Sequence, residues 1–289
     1  MEQRHRYEYN VDTKGTTAAA KVVRMVGKNK RVLELGAGPG SITRFLSGYG
    51  GCHVTAIELD DEAIKKLSPF CERVYRCDLN DHTWTSVLSQ DDKFEVVVAA
   101  DVLEHLYDPW ATLRAVRGVL DVDGYVVVSL PHIGHNAVIA CLLQEDVEYR
   151  DWGLLDKTHI RFFGIENMQQ LFNSTGFKIV EAEFIVLPPE RTEFTGRWRR
   201  TPAELKQCLT YNRFGMVYQV VVKAKPDLSP KRGLRLLSLP IPDPSSIMYT
   251  HATLHAKTVD LIKKIVLPYL SPRSRSRLRN ILHRIGLRF

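Results

Sequence analysis

A segment with three closely spaced glycines is typical of a loop that binds a polar ligand through its backbone amides. Gly36, Gly38 and Gly40 follow an acidic residue, Glu34, and the next apolar stretch ends in a second one, Glu58. Glycine lets the backbone approach a ligand closely because no Cβ stands in the way. A carboxylate in the position of Glu58 accepts hydrogen bonds from both ribose hydroxyls of a nucleoside. The sequence therefore predicts a site for a nucleoside cofactor.

Two classes of cofactor use this arrangement, dinucleotides and S-adenosylmethionine. Dinucleotide loops usually read Gly-x-Gly-x-x-Gly and hold a pyrophosphate, whereas this loop reads Gly-x-Gly-x-Gly. The carboxylate of Glu34 would repel a pyrophosphate and attract the positively charged amino group or sulfonium of S-adenosylmethionine. We therefore expect S-adenosylmethionine, with a tight turn that binds no ligand as the alternative.

Two further segments are expected to contribute to the same pocket. Asp78 and Leu79 close a short strand, where Asp78 either accepts a hydrogen bond from the adenine amino group or caps a turn. Asp101 ends the fourth strand, at the edge where open α/β sheets bind ligands. We expect Asp101 to lie near the sulfonium or the incoming nucleophile.

The elements that position these residues alternate between strands and helices. Strands are predicted at 31–35, 53–57, 73–76, 94–99 and 125–129, and helices at 17–26, 41–47, 61–67 and 110–120. This alternation predicts a doubly wound, mostly parallel sheet with helices on both faces. A long insert at 132–165 precedes a helix at 166–174 and strands at 178–187 and 216–224, which a polar loop separates.

Residues 32–40, 57–60, 101–106 and 124–131 resemble, in order and spacing, the successive motifs of class I S-adenosylmethionine-dependent methyltransferases. Residues 153–163 resemble a signature of bacterial methyltransferases that accompany glycosyltransferases in making cell-surface polysaccharide. The resemblance implies a Rossmann-like α/β fold, with a seven-stranded sheet whose last strand, 216–224, is reversed. It also implies that an N-terminal arm with Tyr7 and Tyr9 folds over the cofactor.

Methyl transfer to a hydroxyl group requires an aligned nucleophile and a base that removes its proton. Four histidines after the fourth strand are candidates for that base: His105, His132, His135 and His159. The resemblance favours His159, because it places this residue at the mouth of the site. His132 and His135 are the next candidates, and a purely structural histidine is the competing interpretation. The aromatic residues Trp152, Phe162 and Phe163 are candidates for the walls of the acceptor pocket or for core positions.

Asp101, Glu104 and His105 have spacings that place them on one helical face, where they would suit a divalent metal ion. Related spacings bind metal in ubiquinone-biosynthesis O-methyltransferases and in small-RNA methyltransferases. Many methyltransferases without metal carry a similar Leu-Glu-His sequence, however, and we expect no metal here.

The basic character of the chain lies in its C-terminal part. The 289 residues carry a net charge of +7, whereas 226–289 alone contain 12 Lys/Arg and three Asp. We expect a methyltransferase domain at 1–225, a Pro-rich linker at 226–250 and a basic amphipathic helical tail at 251–289. Such a tail suits peripheral binding to an anionic membrane, to glycosyltransferases or to the enzyme's own core. Nucleic acid is not expected as a partner, because 1–225 is slightly acidic.

The remaining composition favours a cytoplasmic enzyme. The five cysteines form no Cys-x-x-Cys pair, and neither a signal peptide nor an apolar run of membrane-spanning length is evident. We expect O-methylation of a sugar or of a glycan or lipid-linked glycan precursor. The alternatives are O-methylation of a small molecule, such as a quinone or natural product, and a module that binds the cofactor without catalysis.

Overall fold

A computed structural model describes residues 8–89, 92–227 and 233–244. Seven strands form its sheet: β1 Arg31–Leu35, β2 His53–Glu58, β3 Arg73–Arg76, β4 Phe94–Ala100, β5 Leu120–Pro131, β6 Phe177–Val186 and β7 Val217–Pro226. Their order is β3-β2-β1-β4-β5-β7-β6. The neighbouring pairs among β1 to β5 are parallel, and β7 runs antiparallel to both β5 and β6. The predicted fold, including the reversed last strand, is confirmed.

Eight helices accompany the strands in the described ranges: α1 Ala18–Val26, α2 Thr43–Gly48, α3 Asp61–Leu67, α4 Pro109–Val119, α5 Asn136–Leu142, α6 Ile165–Ser174, α7 Thr195–Arg200 and α8 Ala203–Leu209. Side-chain caps fix where several begin. Thr17 accepts a hydrogen bond from the amide of Ala20, and Asp60 accepts from those of Glu62 and Ala63. These caps satisfy amides that have no partner within the helix.

Apolar side chains on both faces of the sheet form the core. Val96 and Val98 of β4 are fully buried and belong to the same cluster as Val22 and Val26 of α1. Continuous apolar strands of this kind are typical of parallel sheets that are covered on both faces. Burial of these faces holds the carboxyl ends of the strands in fixed positions.

The segments around the predicted insert and loop contain more structure than the sequence indicated. The insert includes α5, which packs with Leu154, Leu155 and Phe194. The polar loop predicted between β6 and β7 instead contains α7 and α8, and that prediction was wrong. Trp198 of α7 is buried and donates a hydrogen bond to Glu190 at 2.7 Å. Helices of six or seven residues are too short to show a clear apolar period.

Part of the expected Pro-rich linker packs against the sheet domain. Leu236 is fully buried, and its amide donates to Gln169 Oε1 at 2.9 Å, while the amide of Leu234 donates to Ile179 O at 2.9 Å. The compact unit that contains the sheet ends at Ile241. Tyr7 and the expected tail at 251–289 lie outside the described residues. No helix within the described ranges has the length and apolar character needed to span a bilayer.

Candidate active site

A cavity of about 630 Å³ opens at the carboxyl edge of the sheet. Its walls include Glu34 from β1, Glu58 from β2 and Asp101, which follows β4. Tyr218 and Gln219 reach the same cavity from the start of β7, because this strand is reversed and Gln219 pairs with Pro131 at the end of β5. The cavity lies where open α/β sheets bind their ligands.

The glycine loop between β1 and α2 forms one side of the cavity. Gly36, Gly38 and Gly40 have φ angles of +59°, +55° and +82°, in the left-handed region that favours glycine. A Cβ on Gly36 would lie 2.9 Å from Val102 Cγ2. Gly36 and Gly38 line the cavity, whereas Gly40 packs behind it against Leu67. The loop therefore needs glycine both for its backbone conformation and for its packing.

Glu58 is held in place by backbone amides at the end of β2. Its Oε2 accepts a hydrogen bond from the amide of Gly38 at 2.7 Å, and its Oε1 accepts from the amides of Leu59 and Asp60 at 2.7 and 2.9 Å. Three such bonds fix the carboxylate against the glycine loop. A negatively charged acceptor is thereby presented to the cavity.

Glu34 is a nearly buried carboxyl, with 3% of its surface exposed, at the edge of the cavity. Burial raises the pKa of this carboxyl to about 7; the hydrogen bond that Thr43 Oγ donates opposes the shift, and the charge of Glu58 adds to it. The Thr43 Oγ to Glu34 Oε2 distance is 2.6 Å. A cation bound next to Glu34 would favour its ionised form.

Asp101 adopts a left-handed backbone conformation with φ +55°, which is uncommon for residues other than glycine. Its Oδ1 accepts hydrogen bonds from Ser129 Oγ at 2.6 Å and Gln219 Nε2 at 3.0 Å. Withdrawal from bulk water raises the pKa of this carboxyl, and the two hydrogen bonds lower it. Ser129 of β5 and Gln219 of β7 thus fix the Asp101 carboxyl at the wall of the cavity.

Three side chains that could take part in chemistry lie close together on the cavity wall, and we call this part of the cavity the acceptor end: Glu104, His105 and His159. Glu104 and His105 belong to a short helical turn, Leu103–His105, directly after β4. The rings of His105 and His159 meet edge to face with centroids 4.8 Å apart. His159 Nε2 lies 3.9 Å from Glu104 Oε1. The structure therefore brings His159 to the cavity, as the sequence predicted.

Glu104 has an unusual environment. It is fully buried, and neither carboxyl oxygen has a hydrogen-bond partner among the described residues. Burial, and next the charge of Asp101, raise the pKa of this carboxyl well above its usual range. Such a group is costly to keep in a protein unless a proton or a cation neutralises it.

His132 and His135 do not line the cavity. The Nδ1 of His132 lies 3.0 Å from Val217 O, and burial lowers the pKa of this buried ring. His135 caps α5 by accepting from the amide of Ala137, while its Nε2 bonds Leu187 O. These contacts give both residues structural roles and leave His132 away from the acceptor end.

Asp78 and Leu79 are also absent from the cavity walls. Asp78 Oδ1 accepts hydrogen bonds from the amide and the side chain of Asn80 at 2.9 and 3.1 Å, which is the turn that the sequence offered as the alternative. Leu79 is buried. Tyr9 does line the cavity, and its amide donates to Ser41 Oγ at 3.0 Å. Although 42% of the residue is exposed, partial withdrawal from water raises the pKa of its phenol.

Of the predicted aromatic walls, Trp152 lines the cavity, Phe162 is half exposed and Phe163 belongs to the core. Tyr218 and Gln219 are wall residues that the sequence did not indicate. Only the reversal of the last strand pointed to them, because it turns the start of β7 toward the cavity.

Comparison with known proteins agrees with this architecture. A family model described as a methyltransferase domain matches residues 4–182. A glycine/sarcosine/dimethylglycine N-methyltransferase from Actinopolyspora halophila is 28% identical over 130 residues, which cover 42% of this chain and 23% of that protein. A ubiquinone biosynthesis O-methyltransferase from Aromatoleum aromaticum is 28% identical over 117 residues, which cover 39% of this chain and 49% of that protein. The chain thus spans less than half the length of these curated relatives.

Among solved structures, a SAM-dependent methyltransferase from Thermotoga maritima shares the fold. The TM-score is 0.51 at 15% identity, over 74% of this chain and 90% of the other. At this level of identity the similarity concerns the fold of the sheet and its helices and does not identify the acceptor.

Proposed function

The chain belongs to the class I S-adenosylmethionine-dependent methyltransferase family, and on that premise we propose that it transfers the methyl group of this cofactor to an oxygen atom of an acceptor. The observation that carries the proposal is the convergence of Glu34, Glu58 and Asp101 on one cavity beside a glycine loop. Ribose hydroxyls would donate to Glu58, and the cationic amino group and sulfonium would lie near Glu34 and Asp101. The methyl group then faces the acceptor end.

The reaction is an in-line displacement: the oxygen–methyl bond forms as the sulfur–methyl bond breaks, and the electron pair stays on sulfur. The enzyme has to align the acceptor oxygen and promote loss of its proton. Glu104, His105 and His159 are the side chains at the acceptor end that have this chemistry. Our proposal assigns activation of the acceptor oxygen to these three residues.

Replacing Glu58 tests the cofactor assignment. Glu58→Ala is expected to weaken binding of S-adenosylmethionine by about 1.5–3 kcal/mol, or about 10- to 150-fold, because hydrogen bonds to a charged group are lost. Calorimetric titration of the purified proteins with S-adenosylmethionine measures the two affinities. Glu62→Ala on the exposed face of α3 is the matched control and should leave affinity unchanged. Equal affinities for Glu58→Ala and the parent protein would argue against the site.

For the acceptor, we propose a sugar or a glycan precursor, free or linked to a lipid. Support comes from the resemblance of residues 153–163, and from Trp152, whose side chain lines the cavity although 57% of the residue is exposed. Asp156 and Thr158 lie on the same wall. An exposed ring beside polar side chains suits a ligand that has both an apolar face and hydroxyl groups.

A quinol or another small molecule is the second candidate acceptor. The observation that favours it is the similarity to the relative from Aromatoleum aromaticum, a ubiquinone biosynthesis O-methyltransferase. A screen with radiolabelled methyl donor against nucleotide sugars, lipid-linked sugars and quinols distinguishes a sugar acceptor from a quinol acceptor. We expect label in a sugar fraction, and label confined to quinols would overturn the sugar assignment.

The basic segment at 251–289 gives a further part of the proposal. Its charge and apolar spacing support peripheral binding to an anionic membrane, or to a glycosyltransferase that works on the same precursor. Either contact would bring the cavity close to a lipid-linked acceptor.

A further inference from the structure

We propose that Glu104, His105 and His159 bind a divalent transition-metal ion at the acceptor end, with an open coordination position for the acceptor oxygen. The candidate ligand atoms of the three residues all lie within 4.8 Å of one another. The site deepens the proposed function, on which it rests for the identity of the activated oxygen. It also replaces two expectations from the sequence, since a metal was not expected and His159 was expected to act as a base.

The first argument is the state of Glu104. Its backbone is tightly held, because its carbonyl oxygen accepts hydrogen bonds from the amides of Ile160 and Arg161 at 2.9 and 3.0 Å. Its carboxylate, in contrast, is fully buried and has no hydrogen-bond donor among the described residues. A fixed, buried carboxyl group without donors is stabilised in its ionised form when a cation binds beside it.

The second argument is the orientation of the two imidazoles. His105 Nδ1 lies 3.1 Å from Thr158 O, and His159 Nδ1 lies 3.3 Å from Leu154 O. A carbonyl oxygen only accepts hydrogen bonds, so these contacts place the proton of each neutral ring on Nδ1. The Nε2 atoms then carry the lone pairs, which is how histidine ligands are commonly oriented around a metal.

The third argument is distance. His159 Nε2 and Glu104 Oε1 are 3.9 Å apart, which is too far for a hydrogen bond. Two ligand atoms that each lie about 2.1 Å from a shared ion are at most about 4.2 Å apart. An ion fits between these two atoms. His105 completes the set of ligands once its ring moves closer, because the three candidate ligand atoms lie within 4.8 Å of one another.

The proposed set of metal ligands differs from the set that the spacing in the sequence suggested, which was Asp101, Glu104 and His105. Asp101 is committed elsewhere, because its Oδ1 accepts from Ser129 and Gln219. His159, which lies 54 positions after His105 in the chain, takes its place. Two imidazoles and one carboxylate suit Zn²⁺, Co²⁺, Fe²⁺ or Mn²⁺ better than Mg²⁺ or Ca²⁺, which prefer oxygen ligands.

Three protein ligands leave a position open, as in catalytic rather than structural metal sites. An acceptor hydroxyl bound there would have a lowered pKa and would release its proton to solvent. Its oxygen would then attack the methyl group, the sulfur–methyl bond would break, and the electron pair would remain on sulfur. His159 contributes to this step as a metal ligand.

Direct metal titration tests the proposal without any acceptor. The untagged 289-residue chain is treated with a chelator and then titrated with metal ions. Binding of Co²⁺ is followed by visible absorption and calorimetry, and binding of Mn²⁺ by electron paramagnetic resonance. We expect one site per chain and binding at least about 100-fold weaker in Glu104→Gln and in His159→Ala, since even residues that only hydrogen-bond to a metal ligand contribute about 10- to 100-fold to metal affinity. His82→Ala, at an exposed position outside the cavity, is the matched control and should bind like the parent.

Two further measurements keep the outcomes separate. Co²⁺ should raise the melting temperature of the parent and of His82→Ala and leave that of the two site variants unchanged. S-adenosylhomocysteine should bind to the parent and all three variants; if it binds to none, the proposed function fails while the metal site is judged on its own. Equal Co²⁺ affinity in all four proteins, or no binding at millimolar Co²⁺ and Mn²⁺, would overturn the metal proposal.

Discussion

A Gly36→Val variant is expected to be less stable than the parent by about 2–5 kcal/mol and to lose S-adenosylmethionine binding. A left-handed backbone costs an ordinary residue about 1–2 kcal/mol, and overpacking adds about 1–3 kcal/mol. Both apply here, because Gly36 has φ +59° and its Cβ would lie 2.9 Å from Val102 Cγ2. Either the loop or Val102 has to move, and both line the cavity.

Urea denaturation and calorimetry measure the two effects. Gly118→Ala is the matched control, since Gly118 lies in α4 and a Cβ there would contact nothing within 4 Å. The free energy of unfolding of this variant should be about 0.5–1 kcal/mol higher than that of the parent, because alanine is more favourable than glycine within a helix. If Gly36→Val matched the parent in both stability and cofactor affinity, the conformation assigned to the loop would be incorrect.

The free energy of unfolding should carry a contribution of about 3 kcal/mol from Glu34 that disappears as the pH rises. The pKa of this carboxyl is raised from 4.5 to about 7 in the folded chain, and each unit corresponds to about 1.4 kcal/mol. Because the folded state binds this proton more tightly, the contribution is complete below pH 4.5 and is lost as the pH rises through about 7.

Glu34→Gln removes the titration while keeping an oxygen that can accept from Thr43. The difference in unfolding free energy between the parent and this variant should therefore change by about 3 kcal/mol between pH 4.5 and pH 8. Over the same range the parent's affinity for S-adenosylmethionine should rise, since its cation prefers an ionised carboxylate. Parallel stability profiles for the two proteins would contradict the assignment.

The sheet could be predicted because its signals are local. Arg31–Leu35 and Arg73–Arg76 have the predicted bounds, since short apolar or β-prone runs and glycine turns reveal strands within a few residues. The glycine loop and Glu58 could be recognised for the same reason. Helices α7 and α8 could not, because they form through contacts such as that of Trp198 with Glu190 rather than through a period of their own.

The acceptor end shows what the sequence leaves open. His132 and His159 are alike as residues, yet one bonds the carbonyl oxygen of Val217 on β7 and the other faces Glu104. That difference arises from strands and loops that meet only in the folded chain. Likewise, the missing hydrogen-bond partners of Glu104 are a property of its surroundings, and no spacing of residues could have indicated them.

The position of β7 has a consequence for synthesis on the ribosome. Of the seven described strands this one is made last, yet it lies between β5 and β6, so a nascent chain that ends before residue 217 lacks the strand that pairs with the outer edge of β5. Unpaired edges promote misassembly. Antiparallel β6 and β7 can pair with each other first and then add to β5 as a hairpin, so the seven-stranded sheet closes only after residue 226 has left the exit tunnel.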